Sequence, residues 1–227
     1  MLLLCNSYII PSLGLPNVYI HLALFWRMEY NAEKKEIILN RNISNLDKFA
    51  LDFTQILEKY TDYVIISGYV AILLGRGRAT EDIDIFIKPI SKEAFSNFHK
   101  ELRDNNFWCL NAEDDNEIYA YLKDGLAVRF SRKNNPMPNF EVKFPKREVD
   151  QETFNDFITV KLPKGSLKIS SLERQIAFKR YYLESEKDVE DALHIEEIFR
   201  AKLDYEKINK LKEIIDKIKE EEENAGK

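Results

Sequence analysis

A six-residue segment, Asp82–Ile87, restricts the fold more than any other part of the chain. Isoleucine stands at every second position of the segment, and Pro89 follows shortly after it. This alternation predicts a β-strand whose isoleucines are buried on one face. Asp82 and Asp84 then share the opposite face, about 6.6 Å apart along the backbone. The segment therefore predicts a firmly packed strand that presents two carboxylates, and carboxylate oxygens are ligands for hard divalent ions.

A strand and a turn precede this segment. The apolar residues 63–66 predict a short strand that ends at Ser67 and Gly68, and a helix follows. Such a junction offers backbone N–H groups and the positive end of a helix to a phosphate. Residues 69–81 are long enough for a short helix and a return to a neighbouring strand. We therefore expect a phosphate site beside the two carboxylates, with Arg76 and Arg78 able to bind phosphate oxygens in a bidentate manner.

The hydrophobic periodicity predicts the remaining elements and three regions. Residues 1–30 form an apolar N-terminal arm, 31–165 a core domain, and 166–227 a helical C-terminal subdomain. Predicted helices cover 44–60, 70–74, a segment capped by Ser91, 171–184, 187–200 and 204–223, and further strands cover 107–110, 126–130 and 140–144. After residue 165 the chain is expected to be almost entirely helical.

The arm and the composition exclude several classes of protein. Before Arg27 the arm has no charged residue, and two prolines interrupt it, so it has neither the positive start of a signal peptide nor the apolar length of a membrane span. Translation starting at Met28 is an equally good interpretation. A net charge of −5 argues against a protein that coats nucleic acid, and two cysteines exclude a disulfide framework. Three scattered histidines do not make a metal cluster. These features predict a cytoplasmic protein without membrane association.

The strand, the turn and the spacing between them resemble the polymerase-beta-type nucleotidyltransferase superfamily. Its signature is a hydrophobic residue, Gly and Gly or Ser, then a gap, then Asp-hydrophobic-Asp/Glu-hydrophobic; Ser67 and Gly68 stand in reverse order. More narrowly, residues 63–87 look like the nucleotidyltransferases related to the abortive-infection (AbiEii) toxins. The helical pattern of that group matches Leu172, Glu173, Lys179, Lys187, Asp188 and Asp191.

This resemblance implies a fold and a set of functional residues. The fold is α+β: a nucleotidyltransferase core with a mixed β-sheet flanked by helices, followed by the helical subdomain. Two Mg²⁺ (or Mn²⁺) ions would be bound by Asp82, Asp84 and a third carboxylate on a later strand, for which Glu141 is the best candidate. Lys143 shares the strand face of Glu141, so an ion pair between them is the alternative interpretation. The resemblance also implies nucleotide-binding roles for Ser67, Gly68, Arg76, Arg78, Thr80, Asp188 and Asp191, and a catalytic role for Lys179.

Lys179 is expected to contact a nucleotide phosphate or the acceptor. Asp188 and Asp191 fall on one helix face and are able to orient Lys179 or Arg180. On this interpretation, replacing Lys179 by Met removes activity with little loss of stability.

The implied reaction transfers a nucleoside monophosphate from a nucleoside triphosphate to an acceptor hydroxyl, on RNA or protein. The resemblance to the toxin-related group also implies that this protein could be the toxin of a toxin–antitoxin pair, and its partner would then be an antitoxin protein. Two alternatives remain open: a catalytically degenerate nucleotide-binding protein, and a metal-dependent glycosyltransferase that uses the Asp-x-Asp motif.

Overall fold

The computed structural model describes residues 28–225, which form a mixed nine-stranded sheet with helices packed on it. The strand order is β1-β2-β8-β9-β3-β4-β7-β6-β5. The strands are β1 Met28–Asn31, β2 Glu36–Leu39, β3 Tyr63–Ile65, β4 Asp82–Ile87, β5 Phe107–Cys109, β6 Val128–Arg132, β7 Asn135–Lys143, β8 Phe157–Leu162 and β9 Gly165–Ser170.

The helices lie between the strands in the first part of the chain and follow one another in the last part. They are α1 Asn45–Leu57, α2 Gly68–Leu73, α3 Lys92–Asp104, α4 Asp115–Lys123, α5 Glu148–Gln151, α6 Leu172–Phe178, α7 Glu186–Phe199 and α8 Tyr205–Ala225. A π-helical turn, Lys179–Leu183, links α6 to α7. The predicted fold class is confirmed: a mixed sheet flanked by helices, followed by a helical C-terminal part. No helix within residues 28–225 is long and apolar enough to cross a bilayer.

Helix α1 covers the apolar face of the central strands. Ser44 caps its first turn, accepting a hydrogen bond from the Asp47 backbone N–H while the Asp47 carboxylate accepts one from the Ser44 backbone. This reciprocal cap fixes where the helix begins. On its buried face Phe53 stacks on Phe140 of β7, with ring centroids 4.1 Å apart. Ile83, Ile85 and Ile87 are completely buried, as their alternation in β4 predicts.

The position of β4 in the sheet places the two aspartates next to other predicted site residues. β3 runs antiparallel to β4, and the Ile66 N–H donates a 2.9 Å hydrogen bond to the Asp84 carbonyl, so the turn at Ser67 lies beside β4. On its other side β4 runs parallel to β7, and the register sets Asp84 directly opposite Glu141. The sheet therefore gathers residues from three strands at one place.

The structure differs from the sequence-based expectation in its second half. Residues 165–170 are not helical: they form β9, which pairs antiparallel with β8 and parallel with β3. The chain enters helix α6 only after Ser171, whose side chain caps it. Strands β1, β2 and β8 and helices α4 and α5 were also not predicted. β1, β2 and the two helices are short and have no long apolar stripe, whereas β8 does alternate, with Ile158, Val160 and Leu162 buried, and that signal was missed. The division into three regions stays a prediction, and residues 1–27 lie outside the described part of the chain.

Candidate active site

The face of the sheet opposite helix α1 has a row of acidic side chains. Asp82 and Asp84 point to this face from β4 while the isoleucines between them are buried. Glu141 lies on the adjacent parallel strand, opposite Asp84, and its side chain is largely buried. The structure therefore brings Asp84 and Glu141 together, as the resemblance implies for a third carboxylate.

Two cations neutralise this row. The Lys143 ammonium lies 3.1 Å from Asp84 Oδ1 and 3.1 Å from Glu141 Oε2. On β6, Arg129 stands opposite Glu141 and donates from Nε to Glu141 Oε1 at 2.8 Å. Glu141 thus binds a different cation with each oxygen, and Lys143 joins the carboxylates of two neighbouring strands.

Burial and ion pairing shift the two acids in opposite directions. Burial raises the pKa of Asp84, and the nearby Lys143 only partly opposes that effect. Burial also raises the pKa of Glu141, but hydrogen bonds from Arg129 and Lys143 outweigh it and hold the pKa below its usual range. A carboxylate with a lowered pKa is a weak proton acceptor, so Glu141 is better suited to binding a cation than to acting as a general base.

The turn between β3 and α2 has an unusual backbone conformation. Ser67 has φ +63° and ψ −140°, a region that favours glycine. Ser67 therefore occupies a backbone position that is costly for a residue with a Cβ. In the orientation that satisfies both partners, the Gln175 amide of α6 accepts from the Ser67 N–H at 3.1 Å and donates to the Ser67 carbonyl at 3.3 Å. Helix α6 therefore holds the turn in place.

The two arginines after this turn contact helix α7. Arg78 forms a bidentate pair with Asp191, through Nε to Oδ1 at 3.0 Å and Nη2 to Oδ2 at 2.8 Å. Arg76 pairs with Glu190 and lies 3.5 Å from Asp191 Oδ1. In this structure both guanidinium groups bind carboxylates, so they link the sheet to the C-terminal helices. Thr80 also makes a local contact, donating to the Asp82 carbonyl at 3.0 Å.

Lys179 is buried and also binds Asp191. Its ammonium donates to Asp188 Oδ1 at 3.0 Å and to Asp191 Oδ2 at 2.9 Å, and only 1% of its side chain is exposed. The predicted pairing of Lys179 with these two aspartates is therefore present. Arg180 takes a different partner, Glu196. Burial raises the pKa of Asp191, and the hydrogen bonds from Arg78 and Lys179 more than compensate and lower it.

A cleft of about 540 Å³ opens between the sheet and the C-terminal helices. Ser67, Asp84 and Lys143 line it, whereas Asp82 and Glu141 are not among its lining residues. Its walls are rich in cationic and aromatic side chains, and the lining includes Lys146, Arg147, Arg174, Lys179, Phe86, Phe144, Phe178 and Tyr182. Cations outnumber the acidic lining residues Asp84, Asp150 and Glu222. The cleft is therefore suited to an anionic ligand that has an apolar or aromatic part.

Several residues of this cleft were missed by the sequence analysis. The Arg147 guanidinium lies over the Tyr182 ring, 4.8 Å from its centroid. Arg174 is buried, donates to the Val149 carbonyl at 2.7 Å, and has an Nε–H with no hydrogen-bond partner within residues 28–225. Burial lowers the pKa of Arg174. No motif identifies these residues, because each becomes part of the cleft only when α5 and α6 pack together.

The donor atoms of the acidic row suit a hard cation. Within residues 28–225, no group of three or more histidine, cysteine or carboxylate side chains converges as a metal centre. Asp84 and Glu141 nevertheless bind one shared cation, the Lys143 ammonium, through carboxylate oxygens. Carboxylate oxygens are also the ligands that Mg²⁺ uses in proteins. These two residues therefore fit a divalent ion, and a site that includes Asp82 stays a prediction.

Comparison with known proteins gives a fold and no closer relationship. No protein-family model matches the chain. No curated protein matches it. Among solved structures, the antibiotic-resistance factor ANT(2'')-Ia is similar over 79% of this chain and 95% of its own, with 14% identity and a TM-score of 0.50.

Two other structures match with lower scores. An antigenic nucleotidyltransferase-like protein from Paracoccidioides brasiliensis covers 68% of this chain and 74% of its own, with 16% identity and a TM-score of 0.47. The lincosamide antibiotic adenylyltransferase LnuA, in its lincomycin-bound structure, covers 70% of this chain and 99% of its own, with 15% identity and a TM-score of 0.41. At such identities a likeness shows the fold alone, so the finding for this chain is a fold shared with ANT(2'')-Ia.

Proposed function

We propose that this protein is a nucleotidyltransferase that transfers a nucleoside monophosphate from a nucleoside triphosphate to an acceptor hydroxyl, with release of pyrophosphate. One observation carries the proposal: Asp84 and Lys143 line a basic cleft together with Ser67, and Asp84 shares the Lys143 ammonium with Glu141 on the next strand. Carboxylates that bind a cation next to a phosphate-binding cleft are what nucleotidyl transfer requires, because its transition state carries negative charge on the phosphoryl oxygens.

In this proposal the acidic row binds divalent ions. Asp84 and Glu141 are the primary ligands, and Asp82, on the same strand face, adds a third carboxylate. When bound, Mg²⁺ or Mn²⁺ supplies charge neutralisation at the phosphates and activation of the attacking hydroxyl. The nucleotide's phosphates lie near Ser67 and Gly68, and the chain's own residues contribute mainly by positioning them.

The rest of the cleft provides a site for the nucleoside. Its volume of about 540 Å³ lies within the range of small-molecule sites. Phe178 and Tyr182 offer aromatic faces to a base, and Arg147, stacked on Tyr182, makes that wall cationic. Arg174, in the same wall, adds a further positive charge. An anionic nucleotide therefore finds both stacking surfaces and hydrogen-bond donors here.

The proposal also names an acceptor and a biological role, and both rest on the sequence resemblance. The resemblance of residues 63–87 to the AbiEii-related group favours RNA or protein as the acceptor, a cytoplasmic toxin, and an antitoxin protein as its partner. A degenerate nucleotide-binding protein is the second candidate, because Lys143 and Arg129 already neutralise Glu141. A glycosyltransferase is the weaker alternative, since it has no need of the Ser67 turn beside the carboxylates.

Incubation with α-labelled nucleoside triphosphates, Mg²⁺ or Mn²⁺, and total RNA and protein tests the proposal. We expect label on a macromolecule with the wild-type protein and none with the Asp82→Asn/Asp84→Asn variant. Asp62→Asn, which alters an exposed ion pair with Lys88, serves as a control and keeps activity. Nucleotide binding without transfer would indicate the degenerate alternative, and consumption of sugar nucleotides would indicate the glycosyltransferase.

A further inference from the structure

Lys143 and Lys179 both line the cleft, but they differ in how firmly they are fixed. Lys179 is buried, with two aspartates of one helix on its ammonium. The Lys143 side chain is 31% exposed, and its ammonium joins two different strands. A lysine on a flexible four-carbon stem with solvent on one side is free to change partners, whereas a buried lysine is not. Of the two, Lys143 is therefore the lysine with room to change partners.

The ammonium of Lys143 stands where a divalent ion would bind. It lies 3.1 Å from an oxygen of each of the two facing carboxylates, so it uses the lone pairs that a metal would need. Arg129 takes the other oxygen of Glu141. A single positive charge cannot coexist with a divalent ion between the same two oxygens, because the cations repel each other at this distance. Binding of one must displace the other.

The displaced ammonium has a nearby anionic partner in the proposed complex. Lys143 lines the cleft together with Asp84 and with Ser67, and Ser67 belongs to the turn assigned to the phosphates. Its stem is anchored in β7, so the ammonium is able to reach into the cleft without movement of the sheet. A lysine ammonium is a common point-charge ligand for phosphate.

We infer that Lys143 exchanges partners when substrate binds: it neutralises Asp84 and Glu141 while no metal is present, and it moves to the triphosphate when a divalent ion takes its place. This inference rests on the proposed function. It makes Lys143 a competitor of the metal and a ligand of the nucleotide, so removing its charge must have opposite effects on the two.

Calorimetric titration of the full-length protein with two probes tests this inference. The first probe is Mn²⁺ alone, and the second is inorganic tripolyphosphate at saturating Mn²⁺. In Lys143→Met we expect the Kd for Mn²⁺ to fall by about tenfold and the Kd for tripolyphosphate to rise by about tenfold, as removal of one close charge predicts. Lys143→Arg keeps the charge and should bind both probes much as the wild type does. Lys161→Met, which removes an exposed ion pair with Glu36, is the charge-matched control.

The outcomes separate the inference from the function on which it rests. One outcome is that Lys143→Met binds both Mn²⁺ and tripolyphosphate more weakly, or binds both as the wild type does, while Asp84→Asn no longer binds Mn²⁺. In that case the metal site is real and the proposed exchange of partners is wrong. If neither the wild type nor Lys143→Met binds Mn²⁺, or if Asp84→Asn binds it as well as the wild type, the proposed metal site fails and the exchange fails with it. Thermal unfolding of Lys143→Met without ligand establishes that the variant is folded. The binding titrations are repeated with Lys143→Arg, which changes the side chain but keeps its charge.

Discussion

Arg78 and Asp191 are 113 residues apart in the chain and form a bidentate ion pair, with donor–acceptor distances of 3.0 and 2.8 Å. Asp191 is completely buried and also accepts from Lys179. One carboxylate of α7 thus joins the segment that precedes β4 to the π-helical turn that follows α6. The cleft lies between these two parts of the molecule, so its shape depends on this pair.

Removing the charge of Asp191 should therefore destabilise the protein. In Asp191→Asn three cations, Arg76, Arg78 and Lys179, lose a charged partner. Breaking a buried ion pair typically costs about 3–5 kcal/mol in the free energy of unfolding. The matched control is Glu190→Gln, one residue earlier, whose carboxylate is 53% exposed and should contribute less than about 1 kcal/mol. Chemical denaturation measures both. Equal, small losses in the two variants would show that the buried pair is not a structural link.

A side chain at Gly68 should cost stability, because the Arg78 guanidinium packs against this glycine and would have to shift. A Cβ at Gly68 would lie 2.4 Å from Arg78 Nη2, so Gly68→Ala must push the guanidinium away from Asp191. We expect a loss of about 1–3 kcal/mol, the range for hydrogen bonds to charged groups. A Cβ at Gly77 would meet nothing within 4 Å, so Gly77→Ala should be neutral or slightly stabilising. Thermal unfolding of the two variants compares them, and a Gly68→Ala protein as stable as Gly77→Ala would contradict the packing.

Ser67 should be better replaced by glycine than by alanine. Its φ of +63° is costly for any residue with a Cβ. Ser67→Gly should therefore be more stable than Ser67→Ala by about 1 kcal/mol, against the usual preference for alanine over glycine. Both variants lack the hydroxyl, so their difference in stability measures the cost of a Cβ in this backbone conformation. Denaturation midpoints that place alanine above glycine would mean that the turn has a different conformation.

Asp47 should contribute to stability at neutral pH and lose that contribution in acid. Burial raises its pKa, but hydrogen bonds from Arg41, the Ser44 N–H and Tyr69 outweigh this and lower the pKa below 3.8. A carboxylate with a lowered pKa in the folded state stabilises the protein above pH 3.8, and the contribution disappears as the pH falls through the folded-state pKa. The melting temperature of Asp47→Asn should therefore fall less steeply than that of the wild type between about pH 5 and pH 2. If the two curves of melting temperature against pH are parallel, the pKa of Asp47 is the same in the folded and unfolded states.

Local sequence patterns were enough to predict the parts of the site that lie on one element or on adjoining ones. The alternation in 82–87 predicted the buried and exposed faces of β4, and the shared face of Glu141 and Lys143 followed from their spacing on one strand. The capped start of α1 was also readable, because Ser44 precedes an apolar stripe.

Contacts between strands and helices that are far apart in the chain could not be predicted from the sequence. Arg129 reaches Glu141 only because β6 pairs with β7 in one particular register. Lys179 was expected to be replaceable at little cost to stability, and its burial between Asp188 and Asp191 reverses that expectation. Neither the sheet order nor the packing of α6 on α7 is encoded in a short motif, so both depend on the tertiary fold.

One measurement tests most directly whether Asp84, with Glu141 and Asp82, forms a divalent-ion site for a nucleotide. The melting temperatures of the wild type and of Asp82→Asn/Asp84→Asn are compared with and without Mn²⁺ and a non-hydrolysable nucleoside triphosphate. Ligand at 100 times its Kd stabilises the native state by about 2.7 kcal/mol, so the wild-type melting temperature should rise by several degrees. The double variant should show no rise, while its melting temperature without ligand changes little because Lys143 keeps Glu141 as a partner. An equal rise in both proteins would place the ligand elsewhere and contradict the claim.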